Sequence, residues 1–249
     1  MAKEEIRINK FLSEAGVCSR RKADALVEAG RVTADGHVLT MGEKIRPDQV
    51  ICVDGKEVKP EEERILIAFH KPLGVVCTSG HYDGNIIDYI NYPKRIYPIG
   101  RLDKNSTGLI LLTNQGELVN QILKASEYHE KEYEVTVDKD IDRAFIDGMS
   151  GGVPILDTVT RKCYVKATGR RSFTIILTQG LNRQIRRMCE YFGYRVRSLK
   201  RVRIMNIELG DLPLGEYRDV TQAEYQELTR QLSDRKREKK KGNGRKGKN

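Results

Sequence analysis

The chain has 249 residues, of which 39% are hydrophobic, and a formal net charge of +10 at pH 7. This length allows one or two domains with ordinary packed cores. No stretch approaches the roughly 20 apolar residues of a membrane-spanning helix, and the first residues lack the apolar core of a secretory signal. We therefore expect a cytoplasmic protein that does not enter a membrane.

The cysteine and histidine content argues against disulfides and against a metal site. The cysteines are odd in number and lack a paired short spacing, which favours reduced thiols: Cys18, Cys52, Cys77, Cys163 and Cys189. The histidines form no ligand pattern with them: His37, His70, His81 and His129. We expect no metal in this protein.

Two short helices are predicted near the N-terminus. The first ends at Gly16 and carries apolar residues at helical spacing, namely Ile8, Phe11, Leu12 and Ala15. The second begins after Ser19 as its N-cap and stops at Gly30, with its inward positions at Ala23, Leu26 and Val27.

Three basic residues open the second of these helices: Arg20, Arg21 and Lys22. Positive charge in a first turn opposes the helix dipole and costs stability. A phosphate bound at the helix N-terminus would explain the cluster, because backbone donors and basic side chains would converge on it. A charged helix face without a ligand is the alternative, and it is less favoured because the charges gather at the unfavourable end.

Two hairpin turns follow, Asp35-Gly36 and Asp54-Gly55, each between short strand-like segments. Together with the two helices they form a small module that we assign to residues 1–59. The stretch Pro60–Glu63 is acidic and led by proline, so residues 60–64 are predicted to be a linker.

The following segment, residues 65–232, mixes strands and helices. Strands are predicted at residues 65–69, 75–77 and 173–177, and a further strand carries the alternating residues Tyr133, Val135 and Val137. A helix is predicted over residues 117–123 behind an Asn114 cap. Strand runs with few intervening helices favour an α+β sheet domain over a regular βαβ repeat.

A single carboxylate lies in the polar turn of residues 100–108, where Arg101 and Lys104 bracket Asp103. Apolar runs before and after this turn indicate buried segments, so the turn would present Asp103 from a rigid frame. Such a cluster more often forms an exposed loop ion pair that contributes little to stability. The turn by itself therefore favours an ion pair over a functional carboxylate.

A second basic cluster spans residues 182–203, where eight Lys or Arg face one acid, Glu190. A helix capped by Asn182 would bury a stripe of four residues, Ile185, Met188, Cys189 and Phe192. On that helix Arg183 and Arg187 point away from the stripe toward phosphates, whereas Arg186 lies on its flank and could turn toward a buried partner. Asp103 and an RNA backbone are both candidates for the anion that the cluster needs.

The last segment, residues 233–249, is rich in Lys, Arg and Gly and is predicted to be a disordered basic tail. From Arg235 onward it holds nine Lys or Arg and one Glu, a balance of +8 that leaves only +2 for all other residues. Bulk charge therefore says little about the folded part of the chain.

Several stretches also match a known family. Residues 100–116 closely resemble the active-site motif of ribosomal RNA pseudouridine synthases, the RsuA family. Three further stretches agree with that family: His70–Gly74, Glu130–Tyr133 and Gly180–Met188. Later segments look most like the F subgroup, which acts on large-subunit ribosomal RNA: Tyr191–Tyr194, Arg203–Asn206 and Pro213–Glu216. The chain differs from many relatives at His70, where they have Asn, and this position lies outside the catalytic motif.

The resemblance implies a fold and a set of roles. Residues 1–59 resemble the alpha-L RNA-binding domain of a ribosomal small-subunit protein, and the catalytic domain of this family has a mixed, mainly antiparallel sheet with flanking helices. Asp103 would be the catalytic carboxylate, Tyr133 would stack on the target uracil, and Arg186 would pair with Asp103 and lower its pKa. We take as RNA-binding the residues Arg20, Arg21, Lys22, Arg101, Lys104, Arg183 and Arg187.

The implied reaction converts uridine to pseudouridine in large-subunit (23S) ribosomal RNA, on a nucleotide flipped out of its stack. The reaction involves no net redox change, so we expect no cofactor. Asp103 would attack the sugar covalently or assist a transient glycal, and the sequence does not choose between them. We expect a monomer whose partner is ribosomal RNA or an assembly intermediate of the large subunit. A non-catalytic RNA-binding assembly factor is the alternative, which the retained Asp103, Tyr133 and Arg186 argue against.

Overall fold

The computed structural model describes residues 5–78, 83–124 and 128–245. His81 and residues 246–249 of the predicted tail lie outside this range. The described chain folds into two compact units. The first contains the residues up to Ile65 together with two returning segments, Tyr92–Ile96 and Asn114–Gly116, and the second contains the remainder.

The described residues of the first unit form two helices and six short strands. In chain order these are β1 (Ile6–Arg7), α1 (Ile8–Glu14), α2 (Arg20–Glu28), β2 (Val32–Ala34), β3 (His37–Val38), β4 (Lys44–Ile45), β5 (Ile51–Val53) and β6 (Lys56–Glu57). The two predicted helices are confirmed, and the Ser19 side chain caps α2 by accepting the Lys22 N–H at 3.3 Å. Both predicted hairpins are also confirmed, since β2 pairs with β3 and β5 pairs with β6.

Residues 60–64 pack within this first unit. Lys94 forms ion pairs with Glu61, at 2.9 Å, and with Glu63. The Asn114 amide donates to the Glu63 carbonyl at 2.7 Å and accepts the Ile65 N–H at 3.0 Å. These contacts explain why two short segments from the middle of the sequence belong to the N-terminal unit, which a division at a single linker does not anticipate.

The second unit is built on one large sheet. Its elements are β7 (Leu66–Lys71), α3 (Ile86–Ile90), β8 (Tyr97–Pro98), β9 (Thr107–Thr113), α4 (Gly116–Leu123), β10 (Lys131–Val137), α5 (Arg143–Gly151), β11 (Pro154–Ile155), β12 (Thr158–Val159), β13 (Tyr164–Gly169), β14 (Ser172–Leu177), α6 (Gln184–Tyr191), β15 (Val196–Ile204), β16 (Ile207–Glu208), β17 (Tyr217–Asp219) and α7 (Gln222–Arg245). The strand order is β13-β14-β10-β15-β9-β7-β17, with β16 beside β15 and β8 beside β9.

The sheet is mainly antiparallel, and only β15 and β9 run parallel among the pairs of the described chain. This arrangement confirms the α+β fold with a mixed sheet and flanking helices. A core packs between the sheet and helices α4 and α7, and includes Leu109, Leu111, Ile122, Leu228 and Leu232. Because β9 is buried from Gly108 to Thr113, it gives the turn before it a rigid support.

Three details differ from the sequence expectations. Residues 75–77 make only an isolated bridge, Val76 to Asn85, and not a strand. Helix α4 begins at Gly116, and the Asn114 amide bonds to Glu63 and Ile65 as described above. Helix α7 continues to Arg245, where a disordered tail is predicted. Lys, Arg and Glu are good helix formers, so a segment that cannot build a core can still continue a helix whose start is anchored.

No helix among residues 5–78, 83–124 and 128–245 is both long and apolar enough to cross a membrane. Within the same residues, His, Cys, Asp and Glu form no group of three or more that could hold a metal ion.

Candidate active site

The turn that carries Asp103 is held between β8 and β9. Its start is fixed by the Ile99 N–H, which donates to the Leu111 carbonyl at 2.7 Å, and by the buried side chain of Leu102. Its end is closed by the Ser106 N–H, which donates to the Asp103 carbonyl at 3.0 Å. The Asp103 side chain is half-buried, so it is fixed by the main chain and still accessible. The rigid presentation expected from the flanking apolar runs is observed.

Asp103 opens into a cavity of roughly 470 Å³ in the second unit. Tyr133 from β10 and Arg186 from α6 line the same cavity, so the three predicted catalytic residues come together although they are far apart in sequence. Arg101 and Arg183 also line it and are exposed. A cavity with convergent polar groups beside an aromatic ring is the usual form of a small-ligand site.

The charge of the lining is strongly one-sided. The described residues that line the cavity include one carboxylate, Asp103, and six cationic side chains: Arg101, Lys124, Lys131, Arg183, Arg186 and Arg201. Such an excess of positive charge favours an anionic or electron-rich ligand.

Tyr133 lies on the floor of the cavity and is 9% exposed. It follows the alternation of β10, in which Tyr133, Val135 and Val137 are buried as predicted. On the neighbouring strand β15 it pairs with Arg201, whose guanidinium carbon is 6.0 Å from the Tyr133 ring centroid. The ring therefore has a cation on one side, a geometry that attracts through the ring quadrupole.

Arg201 is a residue whose importance the sequence analysis missed. It belongs to the basic cluster of residues 182–203, yet it is only 3% exposed. Its Nε donates to the Leu109 carbonyl at 2.7 Å and its Nη1 to the Arg101 carbonyl at 3.4 Å, while Nη2 is buried and has no partner in the described chain. The spacing of Arg201 two residues after the buried Leu199 is the signal that could have placed it inward.

A β-bulge on β15 decides which arginines face the cavity. Arg201 pairs with Tyr133 and Arg203 pairs with Glu132, so that Val202 is the extra residue between them. The Arg203 side chain bonds to the carboxylates of Glu132, at 2.8 Å, and Glu130, at 3.1 Å. Neighbouring strand residues point to opposite faces, so the bulge turns Arg201 toward the cavity and Arg203 away from it.

Arg186 is half-buried and bonds to the Asp103 turn through two other residues. Its Nη2 donates to the Asn105 carbonyl and, at 3.3 Å, to the Ser106 hydroxyl, and its Nη1 donates to the Val196 carbonyl at 3.5 Å. No ion pair within 4.0 Å joins it to Asp103 among the described residues. Burial lowers the pKa of Arg186, and the charge of Asp103 acts in the opposite direction. The structure thus brings Arg186 to the turn, while the expected direct pairing with the carboxylate is absent.

The start of helix α6 also differs from the expectation. The helix begins at Gln184, and its N-cap is Arg183 in a left-handed conformation, with φ of 50°, in place of Asn182. The Asn182 carbonyl accepts the Arg187 Nε at 3.1 Å. Ile185, Met188 and Cys189 are buried as predicted, and so is Gln184, which the expected helix register did not include. Because the helix starts later, Arg183 sits at the cavity rim.

Two lysines, the buried Lys71 and the half-buried Lys131, complete the surroundings of the site. Lys71 is 0% exposed and donates to the carbonyls of Pro72, at 2.8 Å, and Val75, at 2.9 Å, so it holds the turn after β7. Lys131 lines the cavity and donates to the His129 carbonyl at 3.3 Å. Burial, followed by the charge of Arg201, lowers the pKa of Lys131 to about 8. Both lysines lie in stretches that agree with the family, His70–Gly74 and Glu130–Tyr133, and neither had an expected role in the site.

The half-buried charge of Lys131 should make the protein less stable at neutral pH. The unfolded-state pKa of lysine is about 10.4, so between pH 8 and 10.4 the unfolded chain binds more protons than the folded one and stability rises with pH. We expect the free energy of unfolding of Lys131→Met to exceed that of the wild type at pH 7 by an amount on the order of 2 kcal/mol. Much of this difference should be lost by pH 10. Urea unfolding of both proteins at the two pH values measures this difference. An equal difference in stability at both pH values would contradict a poorly solvated charge at Lys131.

The remaining predicted RNA-binding residues are at the surface. Arg20, Arg21 and Lys22 are exposed at the first turn of α2 in the first unit. In the second unit Arg101 and Lys104 are exposed on either side of Asp103, and Arg187 is half-buried on α6.

The two units match two sequence families. Residues 65–191 match the family described as RNA pseudouridylate synthase, and residues 6–51 match the S4 domain. The first match spans half of the chain, including Asp103, Tyr133 and Arg186.

Individual proteins extend the match to most of the chain. The chain is 55% identical over 227 residues to the dual-specificity RNA pseudouridine synthase RluF of Escherichia coli, covering 90% of this chain and 78% of that protein. It is 35% identical to the ribosomal large subunit pseudouridine synthase B of Salmonella typhi, covering 84% of this chain and 75% of that protein. A crystal structure of a pseudouridylate synthase superposes with a TM-score of 0.67 at 26% identity, covering 90% of this chain and 99% of that one.

Proposed function

The chain belongs to the RNA pseudouridine synthases, and from that premise we propose that it isomerises selected uridines of large-subunit ribosomal RNA, with Asp103 as the catalytic carboxylate. Enzymes of this family are isomerases. The observation that carries the proposal is the meeting of Asp103, Tyr133 and Arg186 in one cation-rich cavity. A non-catalytic assembly factor is not favoured, because such a protein has no need of this arrangement.

The reaction requires a carboxylate at the sugar. The bond between C1′ of the ribose and N1 of uracil breaks, the base turns, and a bond between C1′ and C5 forms. Positive charge develops at C1′ during both steps, and a half-buried carboxylate fixed by its turn stabilises that charge without reorganising. Asp103 is the one carboxylate among the described residues of the cavity lining, which makes it the candidate for this role.

Arg186 acts in this scheme as a positioning residue. Its bonds to Asn105 and Ser106 fix the segment directly after Asp103, so they set the direction of the carboxylate through the main chain. This effect acts on Asp103 through the main chain, without a direct ion pair.

Tyr133 offers a ring on which the loose uracil can stack and a hydroxyl that can move a proton. Two substitutions separate these roles. Tyr133→Leu removes the stacking face and should weaken activity by the equivalent of about 1–3 kcal/mol, the range for one stacked base. Tyr133→Phe keeps the ring and removes the hydroxyl. If this variant is as active as the wild type, only the ring is needed. If it binds RNA but does not react, the hydroxyl takes part in the reaction. Single-turnover rates at saturating RNA are the measurement, and equal rates for all three proteins would remove Tyr133 from the site.

The preference for ribosomal RNA rests on relatives and on surface charge. The names of the similar proteins refer to RNA and to the ribosomal large subunit. Arg101 and Arg183 are exposed at the cavity rim and Lys104 is exposed beside Asp103, and we propose that these cations hold phosphates on either side of a flipped nucleotide. In the S4 unit, the exposed first turn of α2 presents backbone donors and basic side chains together.

The proposal is tested by modification mapping. Ribosomal RNA from a strain lacking the protein is incubated with the purified full-length chain, and new pseudouridines are located by carbodiimide-dependent stops of reverse transcription. We expect a small number of stops in large-subunit RNA and none in small-subunit RNA. Transfer RNA treated in parallel tests a second substrate class. A binding protein without activity would give no new stop in any RNA.

A further inference from the structure

We propose that Lys131 and Arg201 form the subsite that holds the detached uracil and stabilises its negative charge, which makes them catalytic residues for departure of the base and for its second attack. This inference rests on the proposed function, since it concerns the same cavity and the same reaction. The catalytic residues expected from the sequence, Asp103, Tyr133 and Arg186, do not fulfil this task.

The chemistry creates an anion that these residues leave unpartnered. When the C1′–N1 bond breaks, its electron pair stays on N1, so the base departs as an anion with charge spread over N1, O2 and O4. The new bond forms from an electron pair of the base at C5 to C1′. The C5 hydrogen then leaves as a proton, and N1 gains one. Asp103 carries a charge of the wrong sign to stabilise the detached base.

The geometry places two cations where the base must lie. Lys131 and Tyr133 are two residues apart on β10 and therefore point to the same face of the sheet. Arg201 lies opposite Tyr133 in the strand register, with its guanidinium 6.0 Å from the ring centroid. All three line the cavity. A base stacked on Tyr133 would therefore have its oxygens and N1 within reach of both cations.

Arg201 has an unused donor for such a ligand. Its Nη2 is buried and has no partner in the described chain, whereas its Nε and Nη1 bond to main-chain oxygens. A buried donor without an acceptor is costly and calls for an explanation. An oxygen of a bound uracil would satisfy it. Arg203, two residues further on, is turned to the other face by the bulge and is satisfied by Glu130 and Glu132.

Burial separates this pair from the cations that would bind phosphate. Arg201 is 3% exposed, and a phosphate in an RNA strand must continue through two ester bonds into solvent. The exposed Arg101, Lys124 and Arg183 on the cavity rim suit that ligand better. A base turned out of its stack is a terminal group, so it can reach the inner end of the cavity. Lys131 and Arg201 would therefore contact the base, and the cations of the rim would contact the RNA backbone.

The charged and titratable groups around Lys131 keep the subsite positive. On the cavity side they are Asp103, His129, Arg186 and Arg201, with Arg101, Lys124 and Arg183 further out on the rim. The pKa of Lys131, lowered to about 8 by burial and Arg201, leaves the amine mostly protonated at pH 7. An ammonium in this environment is poorly solvated, so its attraction for a forming anion is stronger than at the surface.

The experiment compares two leaving bases. Single-turnover rates are measured over a range of RNA concentrations up to saturation, which gives both the saturated rate and the affinity. The proteins are the full-length wild type, Lys131→Met, Lys131→Arg and Lys124→Met, and the target RNA carries either uridine or 5-fluorouridine at the modified position. Loss of the original nucleoside is followed by chromatography after digestion. Fluorine makes the departing base a weaker base, so it depends less on a cation to stabilise it. Circular dichroism confirms that each variant is folded.

We expect Lys131→Met to lower the rate on uridine by about 100-fold, the effect of removing one donor from a charge-stabilising site, and the rate on 5-fluorouridine by less than about tenfold. Lys131→Arg should recover most of the loss. Lys124→Met, at the rim, should weaken RNA affinity equally for both substrates.

Equal losses on the two RNAs, or a Lys131→Met variant that changes only affinity, would overturn the inference and assign Lys131 to packing or to phosphate binding. If the wild type itself fails to convert uridine, the proposed function fails instead.

Discussion

Asp103→Asn should abolish isomerisation while leaving the fold and RNA binding nearly unchanged. The substitution keeps the shape of the side chain and removes its negative charge and its nucleophilic oxygen. Because the turn is held by main-chain bonds and by the buried Leu102, an amide at position 103 does not disturb the frame. We expect the single-turnover rate to fall at least about 1,000-fold, equivalent to roughly 4 kcal/mol in the barrier.

Asp211→Asn serves as the matched control for charge, since Asp211 is exposed and lies outside the cavity lining. Gel-shift titrations of the wild type and both variants at one salt concentration measure RNA binding, because affinities taken at different salt cannot be compared. Turnover by Asp103→Asn within about tenfold of the wild type, only about 1.4 kcal/mol in the barrier, would remove Asp103 from the reaction.

Gly108→Ala should cost the second unit a large part of its stability. Gly108 lies opposite Arg201 in the parallel pairing of β9 with β15 and has a φ of 108°, a left-handed value that L side chains rarely adopt. A Cβ at this position would overlap the main-chain oxygen and nitrogen of Arg201, which belong to a central strand and cannot move aside. We expect a loss of more than about 3 kcal/mol, combining overpacking against the backbone with strain in φ.

Gly74→Ala separates the two contributions. Gly74 also has a positive φ, of 86°, but nothing lies within 4 Å of the position that a Cβ would take there. That variant should lose only the conformational part, about 1 kcal/mol. Urea unfolding of the two variants and the wild type gives the comparison. Similar losses for Gly74→Ala and Gly108→Ala would mean that the close approach of β9 and β15 is not a packing constraint.

Local signals predicted much of the architecture. The caps and apolar spacing of α1 and α2, the two hairpin turns and the alternation of β10 each depend on residues close together in sequence. The roles expected for Asp103, Tyr133 and Arg186 depended on the family motifs, and the structure brings these residues to one cavity. The roles themselves stay predictions until the variants are measured.

The details that were missed depend on distant parts of the chain. Arg201 is turned inward by a bulge at Val202, and only the pairing of β15 with β10 reveals that bulge. Arg186 bonds to Asn105 and Ser106 because α6 packs beside the Asp103 turn, while the spacing within α6 indicates only that Arg186 is on the helix flank. Arg183, in a left-handed conformation, is the N-cap of α6 in place of Asn182, and the residue preferences of N-caps do not predict an arginine there.

The parallel pairing of β9 and β15 also has a consequence for the order in which the protein forms. The bond between Arg201 and Leu109 spans 92 residues, and the one between Arg186 and Asn105 spans 81. Contacts of such long range close slowly, because the chain between them must be ordered first. During synthesis, a chain that ends before Val196 lacks the strand that lies between β10 and β9. The cavity is therefore among the last parts of the second unit to be completed, and an incomplete chain on the ribosome has no assembled site with which to modify RNA.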